Sequence, residues 1–303
     1  MSKELDLSCF SYIASAKVLQ IDKYPEINKG AEVLGIIDTL AADAPMVAIA
    51  ASRLKLKVGL IANQLGEDEQ GKIISKSLRE NKVINSIRRL PGRKTPFIIV
   101  LSDKGGNREW FSYTKEAERE LMEVNLSQIK DASLAYIDLY PDLEAASLRA
   151  ISFASENQIP VFLNLSGYFP SPELLTLLDD KNICITQIGI HESQEDEAEA
   201  IAKRIYRALG VEVSIVTLGS RGAFAVSGQE VVRTKAHRVH ALHFHGAGAV
   251  FSAGFTYGYL QNLSLTQNLE FACAFGSLSC TKARGFEDFT LDEINKLINK
   301  KDT

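Results

Sequence analysis

Thiols are scarce and scattered. Cys9, Cys184, Cys273 and Cys280 are the four cysteines, and no Cys-x-x-Cys pair exists among them, which leaves no zinc ribbon or redox dithiol to be built from neighbouring thiols. Buried reduced cysteines of this kind fit a cytoplasmic protein. No run of about 18 apolar residues occurs, and Met1 to Asp6 lacks a basic flank leading into an apolar core, so neither a membrane span nor a signal peptide is expected. Basic residues are spread rather than blocked, and the net charge is −4 with a pI near 5.8. That balance lacks the electrostatic footprint of a nucleic-acid binder. Internal repeats and low-complexity segments are absent too. A soluble protein with no nucleic-acid and no membrane partner is the expectation.

The composition that is present, 303 residues of which 46% are hydrophobic and 24% charged, is enough for one large core. Short apolar runs at 7–13 and 18–21 suit strands, broken by Asp22 to Pro25. A helical pattern covers 41–54, a strand 56–62, and a turn at 66–71 leads into a helix over 71–80. Pro96 to Leu101 and Glu109 to Tyr113 read as a hairpin around Asp103 to Asn107. Strands at 134–139, 160–165, 182–187 and 213–218 then alternate with helices at 143–157, 172–178 and 194–209. A hairpin at 223–234, a His-rich strand at 237–244, helices at 247–261 and 266–282, and a helix at 291–300 capped by Thr290 complete the chain. This alternation argues a parallel sheet covered by helices, with ligands beyond the carboxyl ends of its strands.

One stretch stands out. His243-Phe244-His245-Gly246-Ala247-Gly248-Ala249-Val250 passes from small residues into an apolar helical run ending near Leu260. A tight turn feeding a helix N-terminus leaves backbone N–H groups unpaired, and these together with the helix dipole suit a phosphate. The four histidines at 237, 240, 243 and 245 admit two readings, a metal cluster or packing residues, and no nearby Cys or carboxylate completes the first.

The same stretch resembles the C-terminal signature of the ribokinase-like (PfkB) carbohydrate kinases, Asp-Thr-Thr-Gly-Ala-Gly-Asp-Ala-Phe, then one residue, then Ala-Gly-Phe. Ala50 to Ile61 with Gly66-Glu67-Asp68 and Gly71 resembles that family's first signature, and Val216-Thr217-Leu218-Gly219-Ser220-Arg221-Gly222 its nucleotide-site motif. Asn107-Arg108-Glu109-Trp110 is similar to the lid-associated Gly-x-Arg segment, and Ala272 to Thr281 to the late helix beside the adenine. The resemblance implies one ribokinase-like domain spanning 1–303, a three-layer α/β sandwich with a mainly parallel central sheet and a small β lid from about 11–35 and 93–115. It also implies ATP and Mg²⁺ as cofactors, a sugar-like or nucleoside-like substrate, and a homodimer as a possible assembly.

Carried over residue by residue, the resemblance assigns the anion hole to Gly246, Ala247 and Gly248, and the nucleotide to Gln194, Glu197, Thr217, Gly219, Gly222, Ala272 and Gly276, with Glu197 ordering Mg²⁺ through water. It assigns the substrate to positions 14, 16, 43, 46 and 108. The motif's acids are missing, however: the proton-accepting aspartate falls on Ala249, and the hydroxyl-binding Asn and Asp fall on Ala14 and Ala16. The Gly-Gly pair and asparagine opening the first long helix correspond to Ala41-Ala42 and Met46, with Asp43 between. A methyl group accepts no proton, and losing a positioned base costs about 10²–10⁴-fold. His245 or Asp43 are the candidate substitutes. Two functions follow: a phosphotransferase with a degenerate site, or an inactive pseudokinase that binds nucleotide in a regulatory or scaffold role.

Overall fold

Side chains on the central strands alternate between two hydrophobic cores. The computed structural model describes residues 3–103 and 107–300. Its chain begins with β1 (Leu5–Phe10), β2 (Ala14–Ile21), β3 (Val33–Ala41) and α1 (Asp43–Arg53). β4 (Val58–Ile61), the two-residue β5 (Leu65–Gly66), α2 (Glu69–Glu80) and the short β6 (Ile84–Asn85) and β7 (Arg89–Leu90) follow. Next come β8 (Phe97–Ser102), β9 (Arg108–Tyr113), α3 (Lys115–Leu121), β10 (Ala132–Asp138), α4 (Glu144–Glu156), β11 (Val161–Asn164) and α5 (Pro172–Leu178). β12 (Ile183–Gly189), α6 (Ala198–Leu209), β13 (Val213–Thr217), the hairpin of β14 (Ala223–Ser227) and β15 (Glu230–Thr234), and helices α7 (Ala247–Leu260), α8 (Leu265–Ser279) and α9 (Leu291–Asn299) close the fold.

Among the described residues a nine-stranded sheet runs β15-β14-β13-β12-β11-β10-β1-β4-β6, parallel from β13 to β6 and antiparallel at β14 and β15. Leu7 and Cys9 of β1, Tyr136 of β10 and Phe162 of β11 face the core under α1, α7 and α8, whereas Phe10, Ile137 and Leu163 face the one under α4 and α6. A sheet buried on both faces explains why these strands read as almost unbroken apolar runs. A second sheet, β3-β2-β8-β9, stands over the carboxyl edge. Trp110, Phe111 and Tyr113 of β9 are exposed there.

Helix termini follow their local chemistry. Thr290 caps α9 as expected, accepting from the Glu293 amide while the Glu293 carboxylate accepts the Thr290 N–H, a reciprocal capping box. α2 starts two residues earlier than the periodicity predicts because Asp68 caps it through the Gly71 amide.

Other expectations are corrected. Residues 237–244 form no strand; they run as irregular chain, tied to α8 by the His237 amide donating to Ser277 Oγ at 3.1 Å and by the Leu242 amide donating to the Cys280 carbonyl at 2.8 Å. β3 covers residues left unassigned from 36 onward, and the predicted helix over 194–209 divides into a 3-10 segment, Glu192–Glu197, and α6. The hairpin turn at Lys104, Gly105 and Gly106 lies outside the described residues.

Ala42 precedes α1 with φ 68° and ψ 152°, a region nearly reserved for glycine. This is the second position of the Ala-Ala pair that stands where the resembled motif has Gly-Gly. Such backbone strain costs about 1–3 kcal/mol, and glycine returns roughly 0.5–1 kcal/mol of that through unfolded-state entropy. Ala42→Gly is therefore expected to raise stability by about 1 kcal/mol, read as a higher denaturant midpoint; a lower midpoint contradicts the strain.

Candidate active site

The anion turn forms as the small residues dictate. Gly246 sits at φ 80°, reached without steric cost because it has no Cβ, and it opens the 14-residue α7. Within this turn the Ala247 amide reaches the Phe244 carbonyl and the Val250 amide the Gly246 carbonyl. The amides of Gly248 and Ala249 donate to no protein acceptor among the described residues. Two free donors at the positive end of a helix make an anion cradle. Ser252 Oγ lies 2.9 Å from both the Gly248 carbonyl and Gln187 Oε1, and Tyr136 OH donates to it at 3.3 Å. That network fixes the first turn of α7 against the sheet.

α1 closes on this turn from the other side. A Cβ added at Gly246 would lie 2.8 Å from Met46 Sδ, so Met46 fills the space that a side chain at 246 needs. His245 donates from Nε2 to the Leu40 carbonyl at 2.8 Å, and burial, helped by the charges of Arg108 and His243 and opposed by that hydrogen bond, pushes its pKa down to about 4. The imidazole is neutral at physiological pH and committed to β3, which weakens it as the substitute base. His243 is buried and donates from Nε2 toward the Lys282 and Ala283 carbonyls at 2.9 and 3.1 Å. Among the described residues no group of three His, Cys, Asp or Glu side chains is placed to hold a metal ion.

Sequence reasoning passed over the most buried carboxyl at the rim. Asp138, at the carboxyl end of β10, is 0% exposed. Its Oδ2 accepts the Ala44 amide of α1 at 2.9 Å, and its Oδ1 accepts from Asn164 Nδ2 at 2.8 Å. The same Asn164 nitrogen donates to Asp43 Oδ2 at 2.8 Å, and the Asp43 amide donates to Tyr140 OH at 2.9 Å. Burial, then the charge of Asp43, pushes Asp138 up to about 7; burial also raises Asp43, opposed by hydrogen bonds from Asn164 and Tyr140 and by Arg108. A strand predicted to end at 139, beside one ending at 165, was the available signal for this pair.

The rest of the predicted set is placed element by element. Ala14 and Ala16 are buried in a small apolar cluster with Val18, Ile98 and Val100 under the upper sheet, and Tyr12 stands 5.9 Å from Tyr140, ring centre to ring centre. Arg108 is exposed on β9, yet its charge reaches both Asp43 and His245. Thr217 ends β13 and Gly219 and Gly222 follow it; a Cβ at Gly222 would fall 2.0 Å from the Thr234 carbonyl, with φ at 93°. Glu192 holds that loop by accepting from the Ser220 amide and hydroxyl at 2.7 and 2.9 Å. Gln194 interrupts the 3-10 segment with non-helical angles; Glu195, not Glu197, takes the ion pairs with Arg221 and Arg233. Glu197 is exposed at the start of α6. On α8, Ala272 is buried and Gly276 packs under the Ala247 carbonyl, where a Cβ would sit 3.3 Å away.

The pfkB family carbohydrate kinase model matches residues 46–288. The chain belongs to the pfkB family of carbohydrate kinases. Among characterised relatives, a ribokinase of Haemophilus influenzae is 26% identical over 253 residues, covering 78% of this chain and 79% of the relative. A nucleoside kinase of Methanothermobacter thermautotrophicus is 24% identical over 296 residues, covering 91% and 90%. The fold superposes on that of Arabidopsis thaliana ribokinase complexed with ribose and ATP at a TM-score of 0.77, with 19% identity over 99% of this chain and all (100%) of that one. A putative ribokinase II from E. coli in complex with ATP and Mg²⁺ superposes at 0.76, with 19% identity over 98% and 99%. This pfkB member therefore has the ribokinase-like α/β fold: a mostly parallel sheet with helices on both sides.

The raised proton affinity of Asp138 has a stability consequence. A carboxyl whose folded pKa lies above its unfolded value, near 3.8, stabilises the fold at low pH and loses that contribution as pH rises toward about 7. Denaturant midpoints of the native protein should fall relative to those of Asp138→Asn between pH 4 and 7, about the span of the shift. Parallel pH dependences in the two proteins contradict the shift.

Proposed function

We propose that this pfkB kinase relative transfers the γ-phosphoryl group of ATP to a hydroxyl of a sugar-like or nucleoside-like small molecule, at a site where the usual proton acceptor is absent. The observation that carries the reading is the pair of free amides at Gly248 and Ala249, on a 14-residue helix whose N-terminus opens at the carboxyl edge of the sheet. In this reading those amides hold the transferred phosphate. Thr217, Gly219 and Gly222 line the triphosphate side, and Ala272 and Gly276 let α8 lie flat beside the base. The acceptor lies between Ala14, Ala16, Asp43 and Met46, under Arg108.

Mg²⁺ binds mainly through phosphate oxygens and retained waters, which suits a site offering exposed carboxylates such as Glu197 rather than a protein cage among the described residues. Bound with ATP, the ion would neutralise charge developing on the phosphates. Glu197 orders its waters in this reading.

A nucleotide-binding pseudokinase is the second reading, favoured by one observation: Ala249 is 0% exposed and offers only a methyl group where the family motif has an acid. Labelled ATP with a pool of small-molecule acceptors separates the two. Transfer above solvent hydrolysis supports the kinase, and its absence across the pool supports the pseudokinase. Ala249→Asp alone is expected to leave transfer to ribose or a common hexose near background, because Ala14, Ala16 and Met46 remain apolar. Vigorous turnover of either sugar by that variant contradicts the assignment of the substrate end.

A further inference from the structure

Two carboxyl groups meet where α1 touches the carboxyl edge of the sheet, joined by a single amide. Asn164 Nδ2 donates to Asp43 Oδ2 and to Asp138 Oδ1, each at 2.8 Å. Neither aspartate forms an ion pair among the described residues. Ser11, 0% exposed, sits beside Asp138, where its hydroxyl favours the ionised carboxyl against burial. Asp138 is sealed from solvent, while Asp43 is half-buried and stands one helical turn before Met46, the residue packed on the anion turn at Gly246.

We propose that Asp43 is the proton acceptor for phosphoryl transfer in this chain, and that Asp138, acting through the shared Asn164 amide, is the positioning residue that makes Asp43 basic enough. This rests on the phosphotransferase reading above. An isolated, solvated aspartate is a weak base near neutral pH. Two carboxylates bridged by one donor repel, so the pair gives up its second proton reluctantly and, once fully ionised, takes one back near neutrality. The other titratable groups around the pair do not supply this charge. Cys9 on β1 and Tyr12, Tyr136 and Tyr140 are held neutral by burial, His245 is neutral, and among the described residues Arg108 on β9 is the cation whose charge reaches Asp43.

In the step itself, the acceptor hydroxyl gives its proton to Asp43 and its oxygen bonds to the γ-phosphorus. The bond from that phosphorus to the β,γ-bridging oxygen breaks, and its electron pair leaves on ADP. Asp43 then returns the proton to water. Asp138 touches none of the reacting atoms: it accepts the Ala44 amide that orients the first turn of α1 and supplies the second charge.

The test combines a titration that needs no activity with a rate profile. In protein labelled with ¹³C at the aspartate side-chain carboxyls, one aspartate should titrate near neutral pH, and Asp43→Asn should move it toward acid by more than about one unit. If no aspartate of the folded native protein titrates above the ordinary carboxyl range, the proposal is overturned. In initial-rate measurements with an accepted substrate, kcat/KM should rise with pH through neutrality. Asp43→Asn should lose about 10²-fold or more, Asp43→Glu should regain part of it, and Asp138→Asn should move the acid limb downward with KM little changed. Transfer retained within about threefold in folded Asp43→Asn, or an acid limb unmoved in Asp138→Asn, overturns the assignment. Should Asp138→Asn not fold, the Asp43 variants and the titration decide alone. A native protein that phosphorylates no acceptor while the pair titrates as described refutes the phosphotransferase reading, and the catalytic role of Asp43 with it.

Discussion

The cleft depends on how the N-terminus of α1 is held. A helix start buried at a sheet edge leaves amides that need acceptors, and here the acceptors come from the neighbouring β10 and the loop that follows it: the Asp138 carboxylate for Ala44 and the Tyr140 hydroxyl for Asp43. This clamp sets the direction of α1. It brings Met46 against Gly246 and so fixes the spacing between α1 and the free amides of α7. Ala42, strained at φ 68°, is the hinge through which β3 turns into that helix. The local strain persists because the packing around it over-determines the turn.

The positions that resemblance assigns to hydroxyl binding on β2, Ala14 and Ala16, are buried in an apolar cluster, whereas buried polar groups gather at the carboxyl ends of β10, β11 and β12 as Asp138, Asn164 and Gln187. The glycines at 219, 222 and 246 all carry positive φ, and Glu192 anchors the loop after β13.

Much of this fold was legible because burial on both faces of a parallel sheet writes long apolar runs, and helix starts write caps such as Asp68 and Thr290. The His-rich segment misled for a physical reason. Its alternation of histidine with apolar residues mimics a strand, but its backbone amides are spent on α8, and His243 and His245 turn their rings toward the carbonyls of Lys282, Ala283 and Leu40. α3 was missed because only Ala117 and Leu121 of its seven residues are buried, too little apolar signal for a charged helix. Asp138 was passed over for a different reason: a single acid at a strand end looks solvated until the tertiary fold places Asn164 and Asp43 against it. The anion turn, by contrast, is local chemistry, and Gly246 to Ala249 could be read directly.

The central claim is that the cradle remains although the residue that normally exploits it does not. Calorimetric titration of the native protein with ATP in the presence of Mg²⁺ tests this most directly. The account predicts saturable binding of one nucleotide per chain; no heat of binding up to millimolar ATP would contradict it.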